Sequence, residues 1–183
     1  MFYVGSLEEK HLEAVTLHGK RGGFMFGLSD IPTFIWAIFI SLPVVSLIHE
    51  AGHYLTARIF GGKLKFTIGQ GKVIFQSGDF EIRRVFFLDS WCQVEELNVS
   101  NKFSHALVYA GGVLFNLLSI FIVNSLLHLG IFQEHIFFYQ FVYFSLYYMV
   151  YALIPVEVGK GNPTDGKAIY DVLKHGINKD PLD

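Results

Sequence analysis

The chain has 183 residues, 52% of them hydrophobic and only 16% charged, with 19 Phe, 9 Tyr and one Cys. A soluble domain carries about a quarter charged residues, so this balance, with its positive mean hydropathy, indicates a membrane protein. A formal net charge of -2 without any Lys/Arg-rich run gives no footing for nucleic acid, and a lone Cys92 excludes an internal disulfide or a cysteine-based zinc cluster.

Residues 1–30 read as an N-terminal extension. Glu8, Glu9, Lys10 and Glu13 occupy it without an early apolar run, so no conventional secretory signal is expected. Residues 7–17 can form a short amphipathic helix, broken by the glycines from Gly19 onward. Asp30 and Pro32 mark a helix start, Asp30 as cap and Pro32 in the first turn, where its missing N–H costs least. From Ile31 to Ile48 no side chain is charged, and the helix can continue to Phe60 before Gly61-Gly62 ends it, which is long enough to cross the hydrocarbon. Pro43 inside it should bend the helix.

This run ends in His49-Glu50-Ala51-Gly52-His53. Residues four apart share one face of a helix, ~6 Å apart along its axis. His49 and His53 can therefore grip one zinc ion while Glu50 activates a water bound to it. The same residues also occur by chance on ordinary surface helices, but an uncharged segment gains nothing by ending in a Glu and two His without partners.

Between 63 and 96 the pattern changes. Leu64, Phe66 and Ile68 alternate with Lys63, Lys65 and Thr67, and Phe80 and Ile82 with Glu81 and Arg83. Breaks at Gly69-Gln70-Gly71 and Ser77-Gly78-Asp79 suggest short strands and tight turns over 63–88. The segment is either a hairpin at the membrane interface offering a strand edge to an extended substrate, or an amphipathic connector that shields its own Phe residues.

A second span is expected at 104–129, because Phe103 to Gln133 holds no Asp, Glu, Lys or Arg. Its Ala110-Gly111-Gly112 cluster permits close backbone approach. Asn116 lies one turn further on, and can order substrate or water or simply bond a neighbouring helix. A third span at about 132–155 is rich in Phe and Tyr, with Glu134 and His135 at its solvated entrance. Downstream, Asn162 can cap a short helix that begins at Pro163 and carries Asp165 at its third position, ending near Gly176. Six Lys/Arg lie in the 60–103 connection, four in the C-terminal part and none in the turn at 129–134. The positive-inside preference then puts the N-terminus outside, the C-terminus in the cytoplasm, and His49, Glu50, His53 and Asp165 at one depth.

A catalytic zinc usually takes three protein ligands and leaves one position open. Asp165, Glu157, Glu134, His105, His128 and His175 are the candidates for the third. Glu134 and His128 fall at the wrong end of their helices and His175 in the polar tail. Asp165 is favoured by its side of the membrane and its Pro/Gly-flanked turn, while His105 stays open.

The chain resembles the site-2 protease family of intramembrane zinc metalloproteases over roughly residues 32–175. The resemblance is carried by His49-Glu50-Ala51-Gly52-His53, by Gly111-Gly112-Val113-Leu114-Phe115-Asn116 and by Asn162-Pro163-Thr164-Asp165-Gly166, with the strand-like Ile68-Gly69-Gln70-Gly71-Lys72-Val73-Ile74-Phe75 between. It implies an α-helical integral membrane protein with about three spans, a strand segment and a short C-terminal helix, in a bacterial or archaeal cell membrane. It also implies Zn2+ held by His49, His53 and Asp165, Glu50 as catalytic base, and Asn116 as a substrate- or site-ordering residue. The implied partners are the lipid bilayer and single-span membrane proteins or peptides, since members of that family cleave transmembrane segments of regulatory proteins or remnant signal peptides. Gly111-Gly112, or Gly112-Val113 in the other register, stands where the family commonly has Gly-Pro, and no PDZ or CBS domain is inserted. The alternative is a catalytically silent, zinc-binding scaffold or chaperone for transmembrane helices, which would have no need of Glu50.

Overall fold

The uncharged run from residue 31 onward forms one long helix, α1 (Leu28–Ile59), in a computed structural model that describes residues 27–158 and 163–176. The chain divides into two units, Met1–Phe34, of which residues 27–34 are described, and Ile35–Asp183. The expected N-terminal extension and amphipathic segment at 7–17 lie outside the described residues. Asp30 directly precedes the α-helical stretch, which begins at Ile31 with Pro32 in its first turn, as expected. It closes a 3-10 turn, Leu28–Asp30, and its carboxylate accepts the Gly27 N–H at 2.8 Å. The effect expected of Pro43 takes the form of a π-turn at Ala37–Ser41, immediately upstream. Proline has no N–H and its ring crowds the preceding turn, and a widened turn accommodates both. Gly61, at φ +71, closes α1, with Gly62 N–H returning to the Ala57 carbonyl at 2.9 Å.

Two strands follow, β1 (Lys63–Ser77) and β2 (Phe80–Glu96), paired antiparallel. The structure corrects the expectation of several short strands. Gly69 and Gly71, both at positive φ, bend β1 without ending it, and only Ser77-Gly78-Asp79 is a turn between strands. Because of the bends, Phe66 pairs with both Cys92 and Phe80, and Ile68 with both Ser90 and Ile82. The ribbon thus folds back on itself and brings its tip to Phe66, where the Phe66 N–H meets the Asp79 carbonyl at 2.7 Å. Buried Glu81 is paired with Arg83 at 2.6 Å and Lys65 at 3.6 Å.

Helix α2 (Lys102–His128) starts at Asn101, whose side chain accepts the N–H groups of Phe103 and Ser104. Helix α3 (Ile136–Leu153) starts at His135, whose ring accepts the Phe137 N–H at 3.2 Å. All three helices are long and apolar enough to cross a membrane. Their outward faces leave Phe121, Ile122, Tyr143 and Leu146 at least half exposed, an apolar belt that lipid would cover.

In such helices association rests on close packing and interhelical hydrogen bonds rather than on expelling water. The seam between α1 and α2 has that character. A Cβ added to Gly52 would run into the Gly111 carbonyl, and one added to Gly111 into Thr56 and the Gly52 carbonyl. These two glycines let the backbones touch and set the distance between the histidine-bearing helix and its neighbour.

The last element, α4 (Asp165–His175), is too short to span and is amphipathic. Ala168 and Val172 bury against Tyr109 of α2, and Gly166 lies against the Leu153 carbonyl at the end of α3. Its start differs from expectation. Thr164 is the cap, its Oγ1 accepting the Lys167 N–H, and Asp165 is the first helical residue rather than the third. Pro163 is held outside the helix by a bridge to Glu157, which leaves the next hydroxyl to cap; Asn162 lies outside the described residues.

Candidate metal centre

Two elements distant in sequence build the site. From α1 come His49, Glu50 and His53, all buried, whose ligand atoms lie within 4.8 Å of one another. From the first turn of α4 comes Asp165, whose Oδ2 is 2.9 Å from His49 Nε2 and 3.4 Å from His53 Nε2. The imidazole rings stand edge to face, 4.8 Å between centroids. Ligands around a tetrahedral zinc with bonds of ~2.0–2.1 Å lie about 3.3 Å apart. The two Asp165 distances bracket that spacing.

The chemistry of the donors also fits a cation. His53 Nδ1 lies 2.8 Å from the Val108 carbonyl, which can only accept, so Nδ1 carries a proton. In the neutral ring that leaves the Nε2 lone pair facing the Asp165 carboxylate, an arrangement that needs positive charge between them. Two carboxylates and two imidazoles in one buried cluster likewise call for a cation.

Asn116, fully buried on α2, has its Nδ2 3.3 Å from His49 Nδ1, while its Oδ1 has no partner among the described residues. The two ends of a primary amide have nearly the same shape. Turning this one over gives Oδ1 the His49 Nδ1–H and aims the His49 Nε2 lone pair toward Asp165, the tautomer a metal requires. Gly112 makes room for that ring, since a Cβ there would overlap His49 Nε2.

Asp165 lies outside the membrane-length helices. Burial by itself would raise its carboxyl, but hydrogen bonds and charge from His49 and His53 outweigh that and hold it at about 2.

The other expected ligand candidates are not brought here. His105 is buried but bonds Ser100 Oγ through Nε2 at 2.9 Å, and Glu157, Glu134, His128 and His175 are exposed elsewhere. Three residues that sequence reasoning passed over do belong to the site's surroundings. Tyr148 of α3 packs its ring against His49, 4.8 Å between centroids, and its hydroxyl lies 3.3 Å from Ser46, which in turn bonds Ser90 of β2 at 2.6 Å. Ser46 carried a signal, as a hydroxyl one turn before Glu50 in an apolar run; nothing distinguished Tyr148 from the other tyrosines of its helix. A groove of about 460 Å³ opens beside α1, between Leu47, Ala51 and Tyr54 on the helix and Phe66 and Phe80 on the ribbon.

No family model matches the chain. A curated relative, the uncharacterized membrane protein YwmF of Bacillus subtilis (strain 168), is 48% identical over 152 residues, or 83% of this chain and 96% of that protein. The chain belongs to the YwmF family. With its three long apolar helices, this makes it a multi-pass membrane protein, in which His49, Glu50 and His53 sit within the first span and Asp165 beyond the third. The YwmF relationship thus accounts for the apolar belt on α2 and α3 as a lipid-facing surface.

Proposed function

We propose that the chain is a zinc-dependent intramembrane endopeptidase of the site-2 protease type, which hydrolyses peptide bonds in single-span membrane proteins or peptides. The observation that carries this reading is Asp165 Oδ2 meeting the Nε2 atoms of His49 and His53 at 2.9 and 3.4 Å, with the Glu50 carboxylate within 4.8 Å of the two imidazoles. His49, His53 and Asp165 would hold the metal. Zinc, when bound, supplies a Lewis acid that lowers the pKa of water and polarises a carbonyl. Glu50 takes the proton of the attacking water and passes it to the leaving amine.

The centre is open to water on one side. Asp165 is the least covered of the three ligand side chains, at 17% exposed, so water reaches the centre from the α4 side. A transmembrane substrate must unwind before it can be cut, because its carbonyls are otherwise bonded within its own helix. The Lys/Arg distribution supports an N-terminus outside and a C-terminus in the cytoplasm.

The test is proteolysis of leucine-rich single-span peptides, with a Gly or Asn pair moved stepwise through the span, in lipid nanodiscs. Wild type is expected to cut at least one peptide and Glu50→Gln none, both proteins carrying zinc. A wild type that carries zinc and cuts no peptide would instead support a zinc-binding scaffold for transmembrane helices.

A further inference from the structure

We infer that the groove between α1 and the ribbon binds one phospholipid whose headgroup pairs a phosphate with a primary ammonium, the phosphatidylethanolamine class. The site needs the membrane setting but not the endopeptidase chemistry. Its lining changes character along its length. Leu47, Ala51, Tyr54 and Arg58 come from α1 at helical spacing, so they form one stripe about 16 Å long on a single face. Leu47 and Ala51 stand well inside the span, whereas Arg58 stands one residue before its end at Ile59. Phe66 and Phe80, stacked at 5.7 Å, make the facing wall.

The charged groups of the groove are gathered at the Arg58 end. The Tyr54 ring carries the Arg58 guanidinium on its face, 5.5 Å from the centroid, and meets the Phe66 ring edge-on at 6.3 Å. Asp79 follows, since its carbonyl accepts the Phe66 N–H at 2.7 Å, and Ser77 lies beside it in the same turn. A cation, an anion and a hydroxyl, all exposed, thus stand at one end, with Leu47 and Ala51 at the other. That order matches a lipid lying along α1, its acyl chain on the apolar stripe and its headgroup at the boundary. An extended peptide would instead set N–H and C=O groups against Leu47, Ala51, Phe66 and Phe80, whose side chains offer them no partner. A transmembrane helix ~10 Å across would fill roughly 1,300 Å³ along the same length, well beyond the groove's 460 Å³. The headgroup follows from the two charges. A guanidinium is a planar fork that suits phosphate oxygens, and a carboxylate accepts the N–H donors of a primary ammonium. A phosphatidylglycerol headgroup gives Asp79 nothing positive to meet, and the choline ammonium has no N–H to donate.

In the test, wild type in detergent meets an equimolar mixture of phosphatidylethanolamine, phosphatidylcholine and phosphatidylglycerol with identical acyl chains, and retained lipid is counted by native mass spectrometry. One phosphatidylethanolamine per protein is expected to stay bound where the other two are stripped. Arg58→Gln should lower its retention about tenfold. Asp79→Asn should bring phosphatidylethanolamine and phosphatidylcholine to equal retention. Both side chains are exposed, so helicity by circular dichroism should match wild type in each variant. Lys72→Gln removes an exposed cation of the ribbon outside the groove and should change nothing. Equal retention of the three lipids by wild type would mean an unselective lipid coat and overturn the site, as would equal losses in Lys72→Gln and Arg58→Gln. An unchanged preference in Asp79→Asn would refute the headgroup. A leucine-rich single-span peptide that displaces the lipid mole for mole would give the groove to a peptide and overturn the lipid site too.

Discussion

Asp165 Oδ2 lies 2.9 Å from His49 Nε2 across 116 positions of sequence, and this contact ties α4 to the C-terminal third of the first span. Removing the carboxylate leaves two imidazoles from one helix, too few for a stable zinc site. Asp165→Ala, purified alongside wild type and Glu50→Gln, is expected to lose bound zinc by elemental analysis, while Glu50→Gln keeps a full complement. Retention by Asp165→Ala would assign the third ligand elsewhere.

In metal-free protein the same contact makes stability depend on pH. Hydrogen bonds and charge from the histidines, overcoming burial, lower the Asp165 carboxyl from 3.8 to about 2. A depressed carboxyl stabilises the fold above its unfolded value and stops doing so as pH falls through its folded value. Wild type should therefore lose thermal midpoint relative to Asp165→Asn between about pH 4 and pH 2.

Asn116 acts on the site through His49. Its replacement by Ala leaves His49 Nδ1 without the amide 3.3 Å away and frees the ring to turn or change tautomer. Loss of such a supporting bond typically costs 10–100-fold in metal affinity. Competition with a chelator should show a weakening of that order for Asn116→Ala, and a smaller one for Asn116→Asp, whose oxygen can still accept the Nδ1–H.

The glycine seam can be separated from the metal centre. Gly52→Ala forces the α1 and α2 backbones apart at Gly111, and overpacking of this kind costs about 1–3 kcal/mol, read as a lower midpoint of unfolding in detergent. Gly112→Ala pushes on His49 Nε2 instead, so its zinc affinity should fall more than its stability. Equal effects of the two variants on zinc would contradict this division.

Cys92 reports on the charge of Glu50. Burial first, and the Glu50 carboxylate second, push its thiol from 9.0 up to about 12, so at pH 8 it holds about a thousandfold less thiolate than an ordinary cysteine. Maleimide labelling followed by mass spectrometry should be slow in wild type. It should be faster, though still slow, in Glu50→Gln, because burial remains. An unchanged rate would mean that the charge does not reach the thiol.

Much of the α1 helix was legible because its signals are local. An uncharged run of spanning length, the His49–His53 spacing and the glycines at 61 and 62 each follow from a few neighbouring residues. The ribbon was less so. Gly69 and Gly71 read as a turn, yet positive-φ glycines can bend a strand without breaking it, and which occurs depends on what the distal half of β2 pairs with. The cap of α4 was displaced for a similar reason. Asn162 and Thr164 are both good caps, and the bridge between Glu157 and Pro163 selects the second.

By itself the sequence determined that this chain is a membrane-length helical protein carrying two imidazoles and a carboxylate on one helix, because hydropathy and helical period need only near neighbours. Only the tertiary structure decided that Asp165 joins those imidazoles while His105 does not, that Asn116 faces His49, and that Tyr148 alone among its helix's tyrosines lies against the site. Those are facts about the rotation and register of packed helices. They are fixed by backbone approach at Gly52 and Gly111 and by the docking of Gly166 on Leu153, and no local pattern encodes them.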